Sequence, residues 1–297
     1  MKEIVVISGK GGTGKTSFTA SLAMIGQEKI MVDADVDAAD LHLVCSPEKK
    51  ESFPFIGGKK ATIDSDKCIN CGQCQTACRF EAIAQGESTR GKFIINKVKC
   101  EGCGVCKLLC PHDAITTQDN QCGEWYISNT RFGTLVHAKL GIAQDNSGKL
   151  VSTIRTAAKK IAQEKNVDYI FIDGPPGIGC PVISSITGAS SVVVVTEATL
   201  SGFHDFKRIV ELTKYFKIQT SVCINKSDIN DELSNDIEIY ALKRNILVLG
   251  RIPYSKYFNQ AQNHGLNIIE YAKQVNHPEV NQLAQRVRLM INKVIGN

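Results

Sequence analysis

Residues 1–17 read MKEIVVISGKGGTGKTS, and the middle of that stretch decides how the chain is read. Residues 4–7 are apolar and strand-like. Residues 9–16, GKGGTGKT, satisfy the spacing G-x-x-x-x-G-K-[ST]. Behind them TSFTASLAMIG carries Phe18, Leu22 and Ile25 at helical intervals and stops at Gly26. Strand, glycine loop and helix together form the context in which this spacing cradles phosphate. Glycines let backbone N–H groups converge on the anion, and a helix N-terminus adds positive potential. The nucleotide contacts expected here are Gly11, Gly12, Thr13, Gly14, Lys15, Thr16 and Ser17. Lys15 is expected to reach the β- and γ-phosphates, and the Thr16 hydroxyl to hold Mg²⁺.

A second pattern lies further along. IDSDKCINCGQCQTACRFEAI (63–83) superposes on INKVKCEGCGVCKLLCPHDAI (95–115) at an offset of 32 residues. Four cysteine pairs align, Cys68 with Cys100, Cys71 with Cys103, Cys74 with Cys106 and Cys78 with Cys110. Gly72 and Gly104, Lys67 and Lys99, Ile63 and Ile95, Ala82 and Ala114, and Ile83 and Ile115 align as well. The spacing C-x2-C-x2-C-x3-C occurs twice. Three closely spaced thiolates can each bind one iron of a [4Fe–4S] cube, while the fourth ligand comes from the other repeat. That logic assigns Cys68, Cys71, Cys74 and Cys110 to one cluster, and Cys100, Cys103, Cys106 and Cys78 to the other. Structural zinc is the alternative, but it usually takes cysteines as paired C-x2-C units. One departure stands out: Pro111 follows Cys110 as in ferredoxins, whereas Arg79 follows Cys78. Residues 61–118 resemble a bacterial-type two-cluster ferredoxin.

Composition sets the frame for both patterns. The 297 residues are 43% hydrophobic and 22% charged, as in ordinary globular proteins. No apolar run approaches the roughly 20 residues of a membrane span. The N-terminal strand runs directly into the glycine loop, so no signal peptide is expected. Net charge is +5 and dispersed, which argues against nucleic acid as a partner. Eight of the twelve cysteines sit in the two runs, a distribution that points to metal in a reducing, cytoplasmic setting rather than to disulfides.

Lys10, a second lysine in KGGTGKT, resembles the deviant loop of the MinD/Mrp/nitrogenase-iron-protein class of ATPases. Other stretches match that class. KIMVDADVDAADL ends a strand at Asp33, with Asp35 two residues on, and alternation sets both carboxylates on one side; Asp37 and Asp40 read as solvated. VDYIFIDGPPGIGC ends a strand at Asp173 and continues into Gly-Pro-Pro-Gly. SVCINKSD places Asn225 at a strand end, and RIPY surrounds Pro253. The resemblance implies that Lys10 crosses a dimer interface to the partner's nucleotide. It implies that Asp35 orients the attacking water, making Lys10, Lys15 and Asp35 the catalytic set. It further implies that Asp33, Asp173 and Thr16 serve Mg²⁺, that Gly177 senses the γ-phosphate, and that Asn225 and Pro253 meet the base. By the residues alone, Asn225 could instead cap a turn.

The expected architecture is α/β: a wound, mostly parallel sheet (1–60 and 119–297) with an inserted α+β ferredoxin-like domain (61–118). Expected cofactors are ATP with Mg²⁺ and two [4Fe–4S] clusters, and the expected assembly is an ATP-dependent homodimer. The leading functional expectation is electron transfer gated by nucleotide, with a redox protein as acceptor. The alternatives are a cluster carrier that assembles a metallocofactor and a membrane-positioning ATPase. Apolar Val280, Leu283, Val287, Met290 and Val294 share one face of a C-terminal helix, which is expected to dock on the sheet. Cys180 stands seven residues after Asp173, as in nitrogenase-iron-protein-like reductases, but residues 141–152 supply no second cysteine. No bridging cluster is therefore expected, and Cys180 is read as a small packed residue.

Overall fold

The computed structural model describes residues 1–26, 28–86, 91–141 and 146–296. The chain begins with β1 (Lys2–Ser8), α1 (Lys15–Leu22), β2 (Ile30–Asp33), α2 (Leu41–Cys45) and β3 (Glu48–Ile63). Short elements follow: α3 (Gln73–Thr76), β4 (Ile83–Gln85), β5 (Phe93–Ile95) and α4 (Val105–Leu108). Then come β6 (Ile115–Thr130), β7 (Gly133–Leu140), α5 (Ser147–Glu164), β8 (Tyr169–Pro176), α6 (Cys180–Ile186) and β9 (Ser191–Glu197). The remainder is α7 (Leu200–Tyr215), β10 (Gln219–Asn225), α8 (Asp231–Leu242), β11 (Leu247–Ile252), α9 (Tyr257–Asn263), α10 (Ile268–Val275) and α11 (Pro278–Ile295).

The chain divides into two compact units: Met1–Phe53, Trp125–Lys139 and Ser147–Asn297 form the first, and Pro54–Glu124 with Leu140–Asn146 the second. The divisions at 53/54 and 124/125 fall inside β3 and β6, whereas the sequence suggested 60/61 and 118/119. The sheet order is β11-β10-β9-β1-β8-β2-β7-β6-β3. Each neighbouring pair from β11 to β7 is parallel. β6 and β7 are neighbours joined by two residues, so they must run antiparallel. This meander at one edge departs from the expected regular alternation of strands and helices.

Apolar runs explain the first unit. In β1, β8 and β9 residues such as Val5, Val6, Phe171, Ile172, Val193 and Val194 are fully buried, as in a parallel sheet covered on both faces. α11 buries Val280, Leu283, Val287 and Met290 on one face, with Val294 half-buried; the expected docking is observed. Parallel order brings the C-terminal ends of the strands together: Asp33 lies in register with Asp173 and with His137, and Glu197 with Asn225. Loops at that edge carry the ligand in open α/β sheets.

The second unit shows the sequence repeat as paired geometry. Asp64 N donates to Ala114 O and Asn96 N to Ala82 O, each at 2.7 Å. Cys68 N donates to Asp64 O at 3.1 Å and Cys100 N to Asn96 O at 3.0 Å. α3 follows Gly72 and α4 follows Gly104, both glycines with positive φ. β4 and β5 pair antiparallel, Ile83 opposite Ile95. The core is Ala61, Ala82, Ile83, Phe93 and Ile115 with the side chains of Cys74 and Cys100.

Candidate functional site

The loop at residues 9–14 connects β1 to α1, so Lys15 begins a helix. Gly14 has φ of 89°, and a Cβ there would lie 2.4 Å from Asn225 Nδ2; only glycine satisfies both demands. Lys15 Nζ lies 3.0 Å from Asp173 Oδ2 and 3.4 Å from Asp35 Oδ2. Thr16 Oγ1 donates to Asp173 Oδ2 at 2.7 Å, and Thr19 Oγ1 donates to Asp173 Oδ1 at 2.8 Å. Asp33 accepts from the N–H of Leu41 at 3.0 Å and of Asp35 at 3.3 Å. Thr19 was not predicted, although it stands one helical turn beyond Thr16.

Burial works against the charge on Lys15, but Asp173, Asp35 and Asp33 outweigh it and hold its pKa above the ordinary value. Burial pushes Asp33 well up, helped by the charge of Asp173 and opposed by Lys15. Asp35 is raised by burial, with Lys15 opposing. Three carboxylates therefore face one ammonium, a surplus of negative charge suited to a hard divalent cation. Among the described residues, no three His, Cys, Asp or Glu side chains converge closely enough to grip one ion directly.

The end of β10 clasps the loop. Asn225 Nδ2 donates to Thr13 O at 2.7 Å and Lys226 Nζ to Gly12 O at 2.9 Å. Asn225 thus holds the loop rather than capping a turn. Beside it opens a cavity of about 180 Å³, lined by Gly12, Gly14, Phe18, Asn225, Ile252, Tyr254 and Phe258, among others. Pro253, expected at the base, is not among the lining residues; its neighbours Ile252, Tyr254 and Ser255 are. Gly177, with φ of 92°, donates its N–H to Ser8 O at 2.8 Å.

Lys10 turns toward its own chain. Its Nζ lies 2.5 Å from Glu197 Oε1 and donates to Ser201 Oγ at 3.0 Å. Glu197 Oε2 also receives Lys226 Nζ at 3.2 Å. Burial alone would raise the Glu197 pKa, but hydrogen bonds from Lys10 and Lys226 prevail and lower it. The sequence carried no signal for Glu197, since the pair is joined only by the register of β1 and β9.

In the second unit the cysteines surround two cavities. One, about 20 Å³, is lined by Cys68, Cys71, Cys74 and Cys110 with Gly72, Phe93 and Pro111 among others. The other, also about 20 Å³, is lined by Cys78, Cys100, Cys103 and Cys106 with Gly104, Phe80 and Ile95 among others. Ala114 N donates to Cys110 Sγ at 3.3 Å, and Ala82 N to Cys78 Sγ at 3.4 Å. Burial raises the Cys74 and Cys106 thiol pKa values, and neighbouring cysteines add to it. All twelve cysteines are free. Cys180 is exposed at the first residue of α6, which corrects its reading as a packed residue; the strand–helix junction leaves that position at the surface. Residues 142–145 of the stretch lacking a second cysteine lie outside the described residues.

Glycine loop, facing carboxylates and parallel sheet define a P-loop nucleotide-binding ATPase. The family described as CobQ/CobB/MinD/ParA nucleotide binding domain matches residues 4–269, and the chain belongs to it. An uncharacterised protein of Methanocaldococcus jannaschii is 35% identical over 232 residues, 77% of this chain and 79% of that one. The septum site-determining protein MinD of Buchnera aphidicola is 26% identical over 211 residues, 70% of this chain and 57% of that one. The structure of MinD from Pyrococcus horikoshii complexed with Mg-ADP superposes with a TM-score of 0.58 at 16% identity, covering 99% and 96% of the two chains. That last likeness establishes fold. Among the described residues no helix is long and apolar enough to cross a membrane.

Proposed function

We propose that this ATPase couples nucleotide-driven dimer switching to electron transfer through two [4Fe–4S] clusters held by a ferredoxin-like insert over residues 61–118. The observation that carries the reading is the pair of near-equal cavities, each lined by three cysteines of one repeat and the last cysteine of the other. A single zinc ion needs four thiolates close around one point. A cube spreads its thiolates over four irons, which suits four cysteines placed around one cavity. The backbone amides of Ala82 and Ala114 donate to the Cys78 and Cys110 sulfurs, hydrogen bonds of the kind that tune a cluster's potential. Bound clusters supply one-electron chemistry.

In the nucleotide site, Lys15 gives up its carboxylate partners to meet the β- and γ-phosphates. Thr16, Asp33 and Asp173 would hold Mg²⁺, which would offset the charge of the phosphates there. Asp35 orients the attacking water, and Asn225 with the turn after Ile252 borders the base. Lys10 reaches the nucleotide of a second copy, so that ATP favours the closed homodimer and hydrolysis releases it.

Anaerobically purified protein is expected to be brown, with about eight irons per chain. Its reduced form is expected to reoxidise with an acceptor protein faster when ATP is present. Colourless protein carrying zinc at these thiols overturns the reading. Loss of iron to an apo-acceptor would identify a cluster carrier instead. The likeness to septum site-determining proteins favours a second reading, a positioning ATPase. ATP-dependent liposome binding that survives loss of the clusters would support it.

A further inference from the structure

Two lysines share one carboxylate beside the nucleotide loop, and their surroundings differ. The Glu197 side chain is 9% exposed, whereas that of Lys10 is 37% exposed. Glu197 is fixed on several sides: Lys226 Nζ sits 3.2 Å from Oε2, and Thr199 Oγ1 donates to Oε1 at 3.3 Å. Thr199 itself caps α7, accepting from the N–H of Gly202 at 3.0 Å. Lys226 is anchored independently on Gly12 O. The carboxylate is therefore part of the frame, while the Lys10 ammonium reaches it from the solvent side. Gly9 sets the approach: a Cβ there would lie 2.2 Å from Asp205 Cβ, so only glycine lets the loop lie against α7.

We propose that Glu197 is a positioning residue that parks Lys10 on its own chain and must release it before the nucleotide-bound dimer closes. The inference rests on the reading of Lys10 as the lysine that crosses between copies. The second lysine is what makes the contact releasable. A buried carboxylate stripped of its sole cation is strongly destabilising. Glu197 keeps Lys226 when Lys10 leaves, so no charge is orphaned. Removing the charge at position 197 frees Lys10 in advance and shifts the balance toward the dimer without adding any contact across the interface.

Two measurements on the full chain test this. The first is the acetylation rate of Lys10 by an amine-reactive ester, followed by mass spectrometry without nucleotide. The second is the protein concentration for half-dimerisation with a saturating non-hydrolysable ATP analogue and Mg²⁺, followed by sedimentation. Glu197→Gln is expected to speed acetylation of Lys10 about fivefold and to lower the half-dimerisation concentration by a similar factor. Ser201→Ala, which removes the weaker acceptor at an exposed position, is expected to move both in the same direction by about twofold. Unchanged acetylation in both variants overturns the latch. Faster acetylation with unchanged half-dimerisation overturns its control of dimer closure and leaves the crossing role of Lys10 standing. A wild-type chain that stays monomeric with the analogue, while Lys10 acetylation still responds to Glu197→Gln, refutes the crossing role and the proposal with it.

Discussion

In the nucleotide site Lys15 lies against Asp173 and Asp35, Thr16 and Thr19 cover both oxygens of Asp173, and Lys10 lies against Glu197. In the smaller unit, eight cysteines line two cavities, and the backbone amides of Ala82 and Ala114 donate to the sulfurs of Cys78 and Cys110. The first region is assembled by charges the chain supplies to itself, anchored on a sheet whose strands are buried on both faces. The second rests on a core of small apolar residues to which Cys74 and Cys100 themselves contribute. Units of this size commonly depend on a metal or disulfides for stability. On the proposed reading, a lesion in the first region is expected to cost nucleotide turnover and a lesion in the second to cost iron content.

The largest effect is expected from Lys15→Ala, which removes the phosphate contact and leaves Asp173 without its cation. ATPase kcat/KM should fall by about a thousandfold, while iron content is unchanged. Iron lost in parallel would break the contrast. Asp35→Asn should lower kcat by about a hundredfold and leave nucleotide affinity within about threefold, read by steady-state turnover beside equilibrium binding.

His137 offers a smaller, pH-dependent test of the larger unit. Burial lowers its pKa from 6.5 to about 4, with the charge of Lys49 adding to the effect. The neutral ring accepts or donates at 2.9 Å with Ser128 Oγ. Because the unfolded chain takes up a proton near pH 6.5 and the folded chain only near pH 4, this contribution is complete above pH 6.5. It is lost as pH falls toward 4, by about 3 kcal/mol. Urea unfolding followed through Trp125, the single tryptophan, should show that decline in wild type and a flatter profile in His137→Gln. The smallest effect is expected from Cys110→Ala. Its bound iron should drop by about half, because the cavity formed mainly by the first repeat loses its fourth thiol. A complete loss of iron would mean that the two cavities are not filled independently.

The parts legible in the sequence were those with local signatures. β1, the loop and α1 announced themselves by apolar run, glycine spacing and helical period. β8 and β9 did so as continuous hydrophobic strands, and α11 by its stripe of Val280, Leu283, Val287 and Met290. The edge meander was not legible. β3 reads EKKESFPFIGGKKATI, and its Pro54, Gly57, Gly58 and lysines argue against a long strand. Only pairing with a neighbour makes it one. Within the site, residues named by motif lie at the C-terminal edge of the sheet. Glu197, Lys226 and Thr19 were missed because their roles arise from register between distant strands and from helical stacking. At the RIPY turn, Ile252 and Tyr254 on either side of Pro253 line the cavity. Cys180 was misjudged because its exposure depends on where α6 begins.

The mirrored bonds from Asp64 to Ala114 and from Asn96 to Ala82 carry a consequence for how the small unit tolerates change. Each copy of the duplicated segment completes the other, supplying the acceptor for its leading amide and the closing thiol of its cavity. The two copies behave like subunits fused head to tail, so a lesion at the last cysteine of either registers in the chamber that its twin chiefly builds.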